Sequence, residues 1–178
     1  IADTPCIDVH QGWAEQIEEF DPDLVIVLST LWDAFDRRLP EWDAMKSIGD
    51  PELDAYLLRE YETAVDELSA GGAKVLWLTG PCSQFKEGNG TPGLDLSDAP
   101  FDVSRVEHLN EVIIPKLVEA RPEVKTFDLL DTMCPNGEFL DRPDGTIEPR
   151  PDGIHFSAEG AAWFAETYGQ AMLDAGLR

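Results

Sequence analysis

The sequence is poor in positive charge. Its 178 residues include 13 Lys and Arg against 36 Asp and Glu, which gives a formal net charge of −23. Phosphate binding draws its affinity from Lys and Arg, so this balance excludes nucleic acid as a favoured partner. The acidic residues are spread along the chain and form no tail, and we interpret them as a solvated surface.

The sequence also lacks the motifs of several large protein classes. It contains no P-loop, no Gly-x-Gly-x-x-Gly and no Lys at a predicted strand end, which argues against a nucleotide-binding or phospho-receiver domain. No apolar run approaches the roughly 20 residues that cross a bilayer, and no secretory leader is visible.

Cysteine is scarce. The three cysteines, Cys6, Cys82 and Cys134, fit no metal-ligand spacing, and we predict no metal and no cofactor. Cys82 follows one predicted strand and Cys134 follows the next, so a disulfide between them is geometrically possible. Two unpaired buried thiols explain the same pattern equally well.

Apolar runs alternate with helical patterns along the chain. Three runs, over residues 23–29, 74–79 and 124–130, are typical of strands that are covered on both faces. This order predicts an α/β fold, a three-layer sandwich with a parallel sheet, in which residues 1–178 form one domain. The Gly/Pro/Asp-rich loops over 86–100 and 135–153 follow strand ends, where such sheets place their ligand sites.

Local signals also mark the helices. Asp50 and Pro51 predict the start of the longest helix, as N-cap and first helical residue. An apolar stripe from Val106 to Leu117 predicts another helix, which Pro115 should kink or end early. Ser157 can cap the last helix.

The segment RPDGIHFSAEG carries the clearest chemical signal. Asp152 lies three residues before His155, in a Pro/Gly turn that leads into the last predicted helix. In that arrangement His155 can take a proton from a hydroxyl nucleophile, while Asp152 holds the ring tautomer and stabilises the imidazolium. The alternative is an ordinary surface turn in which Asp152 caps locally and His155 is solvated.

This block resembles the Asp-x-x-His block of the SGNH (GDSL-type) hydrolase superfamily. The runs DPDLVIVLSTLWDAFDRRL, LTGPCSQF, MCPNG and RPDGIHFSAEGAAWFA together are similar to SGNH domains attached to acyltransferase-3 type membrane acyltransferases. Those enzymes O-acylate glycans of the cell envelope. The resemblance implies a flavodoxin-like SGNH fold, an extracytoplasmic or cell-envelope location and a possible membrane acyltransferase partner domain.

The sequence departs from the family pattern in two places. The Gly-Asp-Ser block is absent, so we expect the chain to enter the domain after the first strand or strands and the nucleophilic Ser. The family's Gly-x-Asn-Asp block, whose Asn donates to the oxyanion, corresponds to Thr30-Leu31-Trp32-Asp33. Thr30, Trp32 and Asp33 are therefore candidates for an oxyanion and substrate pocket. The Trp32 indole can donate a hydrogen bond, or it can be a packing aromatic.

The expected function is hydrolysis or transfer of a small acyl group, such as acetyl, on a carbohydrate hydroxyl. A Ser outside the sequence would form the acyl-enzyme, because Ser29, Ser83 and Ser157 stand in no Gly-Asp-Ser context. The substrate would be an acylated carbohydrate or another small ester. The alternative is a non-catalytic SGNH-like module that binds glycan or a partner domain.

Overall fold

A computed structural model of the chain describes the backbone of residues 6–84, 86 and 103–178, and the side chains of 12–84, 86 and 103–178. The predicted loop over 86–100, apart from residue 86, lies outside the described residues, as does the side chain of Cys6.

Three parallel strands, β1 (Leu24–Leu28), β2 (Lys74–Leu78) and β3 (Lys125–Phe127), form the sheet in the order β1-β2-β3. Val25 pairs with Val75, and Leu76 pairs with Lys125. The predicted strand over 124–130 was too long. It ends at Phe127 because the Asp128 side chain accepts a hydrogen bond from the Asp131 N–H and caps a short helix.

In the part of the chain that the structure describes, six α-helices surround the sheet: α1 (Cys6–Phe20), α2 (Pro51–Leu68), α3 (Val103–His108), α4 (Ile114–Ala120), α5 (Leu129–Met133) and α6 (Ala158–Leu177). Short 3-10 turns cover Leu31–Ala34 and Pro135–Gly137. Alternate residues of a strand point to opposite faces. Val75 and Trp77 of β2 accordingly pack against α1, α2 and α4, and Leu76 and Leu78 pack against α5 and α6. The predicted α/β architecture with a parallel sheet is confirmed.

The predicted helix starts are confirmed by their caps. The Asp50 side chain accepts from the Glu52 N–H at 2.9 Å, and Pro51 occupies the first turn of α2. Ser157 Oγ accepts from the Gly160 N–H at 3.0 Å and starts α6. Both caps satisfy backbone donors that a helix leaves unpaired at its first turn.

The sequence predicts a kink or an early break at Pro115, and in the structure the helix is distorted there but does not end. A π-helical turn, Leu109–Ile113, joins α3 to α4, and the Ile114 N–H donates to the Leu109 carbonyl five residues earlier. Pro115 follows directly, and the helix continues to Ala120. A wider turn just before the proline accommodates its ring and its missing N–H without ending the helix.

The outer edge of β1 is open. Within the ranges that the structure describes, β1 pairs only with β2, and Ile26 and Leu28 are each 43% exposed. A groove of about 510 Å³ follows this edge and is lined mainly by apolar side chains of β1 and of α1, including Trp13, Ile17 and Phe20. Across the described ranges, none of the helices is both long and apolar enough to span a bilayer.

Candidate functional site

Asp152 organises a tight turn that holds the His155 ring. Its Oδ2 lies 2.7 Å from His155 Nδ1. Its Oδ1 accepts from the N–H groups of Ile154 at 2.8 Å and of His155 at 2.7 Å. One carboxylate thus fixes both the backbone and the ring. With Nδ1–H donated to Asp152, the free Nε2 is the basic nitrogen of the neutral imidazole.

The electrostatics of Asp152 suit this role. Burial, the largest single influence, acts to raise the pKa of Asp152. The hydrogen bonds from the His155 ring and from the N–H groups of Ile154 and His155 outweigh it and hold the pKa below its usual value. The carboxylate therefore stays ionised and can stabilise an imidazolium at His155.

Backbone contacts dock this turn, residues 150–155, onto the segment that follows β2. The Gln84 N–H donates to the Gly153 carbonyl at 3.1 Å, and the Lys86 N–H donates to the Asp152 carbonyl at 3.3 Å. Gly153 has φ +82°, and a Cβ there would lie 1.4 Å from the Gln84 carbonyl oxygen. Only glycine fits so close an approach at a positive φ.

His155 opens onto a pocket of about 280 Å³ beyond the carboxyl end of β1. Its wall brings together the residues predicted from two distant segments, Thr30 and Trp32 from one and His155 from the other. The remaining lining residues are Leu28, Leu31, Pro81, Ser83, Ile154 and Phe156. The sequence analysis considered Ser83 only as a nucleophile and did not identify the apolar residues of the pocket wall. The available signal for them was that they follow a strand or are neighbours of His155 in sequence.

Thr30 and Trp32 are held by a capping box. Thr30 Oγ1 accepts from the Trp32 N–H at 3.3 Å, and Asp33 Oδ2 accepts from the Thr30 N–H at 2.8 Å. The Trp32 ring is 40% exposed and meets Phe35 edge to face at 4.9 Å. The backbone N–H groups of Thr30 and Trp32 are both engaged, so the donors that this turn can offer a ligand include the Trp32 indole N–H and the Thr30 hydroxyl.

The structure places Asp33 outside the pocket that holds His155. It lines a neighbouring cavity of about 330 Å³, together with Ser29 and Tyr61. Burial raises the pKa of Asp33, against the opposing effects of the Thr30 N–H and of Arg37. Asp33 caps Thr30 and also lies 3.7 Å from Arg37 Nη2, so it supports the wall of the His155 pocket without lining it. The Tyr61 hydroxyl is buried in this cavity and has no hydrogen-bond partner among the described residues.

Cys82 and Cys134 form a disulfide, which resolves the two alternatives that the sequence left open. Their Cα atoms are 6.1 Å apart, and both residues are buried. The bond ties the segment beneath the Asp152–His155 turn to the end of α5. Over the described ranges, no group of three or more His, Cys, Asp or Glu side chains could hold a metal ion.

Comparisons with known proteins bear on the fold. No protein-family model and no curated protein matches the chain. One solved structure has a TM-score of 0.52 at 19% sequence identity, covering 93% of this chain and 71% of that chain. Another, a peptidoglycan O-acetylesterase, has a TM-score of 0.48 at 16% identity, covering 94% of this chain and 42% of that chain. The similarity to the first of these structures supports a shared α/β fold along most of the sequence. The chemistry is argued from the geometry of the site.

Proposed function

We propose that this chain supplies the His–Asp pair of an SGNH-type acyl esterase or O-acyltransferase that acts on carbohydrate esters. One observation carries the proposal: Asp152 Oδ2 lies 2.7 Å from His155 Nδ1, and the ring stands at the mouth of a pocket at the carboxyl end of a parallel sheet. Ligand sites of open α/β sheets occur at that end.

The reaction would follow the Ser-His-Asp scheme. A Ser hydroxyl gives its proton to His155 Nε2 as its oxygen attacks the ester carbonyl carbon. The tetrahedral intermediate collapses as its bond to the sugar oxygen breaks, the imidazolium protonates that leaving oxygen to give the sugar hydroxyl, and an acyl-enzyme remains. Water or an acceptor hydroxyl then takes the acyl group by the same steps in reverse. The Trp32 indole N–H would donate to the developing oxyanion.

The free edge of β1 is where we propose that the nucleophile enters. The connection from β1 through α2 to β2 places β2 next to β1 in the sheet. The helix α2 covers the same face of the sheet as α1. Parallel crossovers are right-handed in about 98% of cases. A strand joined to the start of α1 would therefore pair with the open edge of β1 and end beside Leu28, which lines both the groove and the His155 pocket.

The three serines that follow a strand or lie near His155 suit the role less well. Ser29 is 1% exposed, and its hydroxyl accepts from the Trp77 indole. Ser157 is the N-cap of α6. Ser83 does line the pocket, but among the described residues the His155 ring is hydrogen-bonded to Asp152 alone.

The second candidate is a non-catalytic module that binds carbohydrate. It is favoured by the exposed indole of Trp32, which shares the pocket wall with Phe156. Flat aromatic faces offer large apolar contact areas for a sugar ring. A module of this kind needs neither the nucleophile nor the basic nitrogen of His155.

The disulfide supports a location outside the cytoplasm. Disulfides persist in oxidising compartments and are rare where thiols are kept reduced. We therefore include the cell envelope in the proposal, and the sequence resemblance is the basis for adding an adjoining membrane acyltransferase domain.

The deciding experiment measures aryl acetate hydrolysis by a longer polypeptide that includes upstream coding sequence, beside the 178-residue chain. We expect turnover only in the longer form. His155→Ala should lower its kcat by about 10³-fold or more. His108→Ala is the matched control, because His108 also pairs with a carboxylate, Asp54 at 2.9 Å, but does not line the pocket.

Unchanged turnover in His155→Ala would contradict the esterase proposal. Turnover by the 178-residue chain that disappears in Ser83→Ala would make Ser83 the nucleophile. Binding of an acetylated oligosaccharide that survives His155→Ala and is lost in Trp32→Ala, without any turnover, would favour the binding module.

A further inference from the structure

Arg150 is a fully buried cation directly beneath the Asp152–His155 turn. It is 1% exposed, and its Nη1 donates to the Cys82 carbonyl. Its Nη2 lies 3.6 Å from Cys134 Sγ, and the guanidinium carbon lies 4.5 Å from the centre of the Phe139 ring. Arg150 Nε has no hydrogen-bond partner among the described residues. The side chain thus contacts both halves of the disulfide at once.

No carboxylate among the described residues forms an ion pair with Arg150. Burial lowers its pKa to about 10, and the negative charge of Asp152 opposes that shift, so the group remains protonated at neutral pH. The other cation beside Phe139, Lys86, is bound to Asp141 at 2.6 Å and Glu148 at 2.7 Å. A buried charge without a carboxylate partner costs free energy, and an apolar side chain would fill the space at less cost. Stability alone therefore does not account for an arginine here.

We propose that Arg150 is a positioning residue that locks the Asp152–His155 turn onto the disulfide-linked segment below it. Among the described residues, three hydrogen bonds join the turn to the segment that follows β2: Arg150 to the Cys82 carbonyl, Gln84 N–H to the Gly153 carbonyl, and Lys86 N–H to the Asp152 carbonyl. The first is the only side-chain tie of the three, and it is charge-assisted. Its catalytic consequence rests on the proposed function, since displacement of a catalytic base by about 1 Å can cost about 100-fold in rate.

The disulfide is the fixed point of this arrangement. It holds Cys82 against Cys134, so the carbonyl that accepts from Arg150 cannot move independently of α5. Arg150 then transfers that fixed position to the turn two residues later, where Asp152 orients His155. The chain of contacts predicts that loss of the disulfide and loss of the guanidinium loosen the same few residues.

Amide hydrogen exchange on the 178-residue chain tests this tie without any requirement for activity. In Arg150→Met we expect the Ile154 and His155 amides to exchange at least about tenfold faster, while the amides of β2 stay within about threefold of wild type. Arg142→Met is the matched control, because Arg142 precedes the same turn but is exposed and bonded to Glu148 at 3.1 Å. It should leave both sets unchanged.

Two further variants keep the test decisive. Replacing Cys82 and Cys134 together by Ala should accelerate exchange of the same two amides. Adding Arg150→Met should then have little further effect, because both changes interrupt the same series of contacts from α5 through Cys82 to the turn. If Arg150→Met does not fold, Arg150→Lys serves instead. The lysine keeps an N–H donor for the Cys82 carbonyl but loses the second N–H group, which lies near Cys134 Sγ. We therefore expect a smaller acceleration of amide exchange, confined to the turn. Equal acceleration in β2 and the turn, or none in either, would overturn the proposal.

Kinetics of the longer polypeptide give the catalytic readout. Arg150→Met should lower kcat about 10- to 100-fold with KM within about twofold, because it misplaces the base and touches no substrate. Arg150→Lys should recover part of that loss. A change in KM alone would overturn the positioning role. A longer polypeptide with no activity at all would count against the proposed function, while hydrogen exchange would still decide the role of Arg150.

Discussion

Replacing Gly153 by Ala probes the contact that sets the position of His155. The new Cβ would lie 1.4 Å from the Gln84 carbonyl oxygen and 2.6 Å from its carbonyl carbon. Both are backbone atoms of the segment that follows β2, and no rotamer change can move them away. The turn and this segment must therefore separate.

The free-energy cost follows from three contributions. An alanine held at φ +82° costs about 1–2 kcal/mol. Separation also breaks the hydrogen bonds from the Gln84 and Lys86 N–H groups, each worth about 1 kcal/mol. We expect Gly153→Ala to lower the free energy of unfolding by about 3–4 kcal/mol.

Gly145 offers a matched control on the preceding loop. Its φ is +79°, close to that of Gly153, but a Cβ there would meet nothing within 4 Å. Gly145→Ala should therefore cost only the backbone term of about 1–2 kcal/mol. Urea unfolding of both variants, followed by circular dichroism, measures the difference, and the esterase activity of the longer polypeptide should fall only in Gly153→Ala.

Equal destabilisation of the two variants would refute the reasoning, because the close contact between the turn and Gln84 would then contribute nothing. A milder cost for Gly153→Ala than for Gly145→Ala would refute it more strongly. A large cost with unchanged esterase activity would separate the stability of this contact from the position of His155.

Two further predictions concern the disulfide and Asp152. Cys82 and Cys134 are 52 residues apart, so replacing both by Ala should cost up to about 4 kcal/mol by the loop-entropy relation, measured by calorimetry, and added reductant should not change that variant further. Asp152→Asn should lower kcat of the longer polypeptide by about 10⁴-fold at constant KM. Because the folded-state pKa of Asp152 is lowered, its stabilising contribution is complete above the unfolded pKa of about 3.9 and disappears as pH falls through the folded value. Urea unfolding should thus show a gap in the free energy of unfolding between wild type and Asp152→Asn at pH 7 that narrows as the pH falls below about 3.9, and a gap independent of pH would contradict it.

Features set by neighbouring residues could be predicted from the sequence. The positions of the strands follow from continuous apolar runs, although β2 is buried and the edge strands β1 and β3 are partly exposed. The starts of α2 and α6 follow from Asp50 and Ser157, whose side chains cap the first turn. The Asp152–His155 hydrogen bond belongs to the same class, because a turn brings residues three apart into contact. Each of these depends on local geometry that the residue types themselves impose.

Features set by distant parts of the chain could not be predicted. The choice between a disulfide and two thiols depends on how closely β2 and α5 approach. The burial of Arg150 depends on Cys82, which is 68 residues away in sequence, and on how the loop folds back so that Phe139 packs on the guanidinium; an arginine on a Pro/Gly loop is usually solvated. Asp33 faces away from the His155 pocket because its side chain caps the turn on which Trp32 is exposed. Pro115 signals a disturbed helix, but residue type alone does not show that the disturbance is a π turn.

The open edge of β1 has a consequence for how this polypeptide behaves in solution. An exposed strand edge presents a row of backbone N–H and C=O groups that can pair with a strand of another molecule, and Ile26 and Leu28 add apolar surface to it. The net charge of −23 opposes such encounters by mutual repulsion between molecules. Salt shortens the range of that repulsion to about 8 Å at physiological ionic strength. Colloidal stability of the isolated chain therefore depends on its acidic surface, which protects an edge that the described residues leave uncovered.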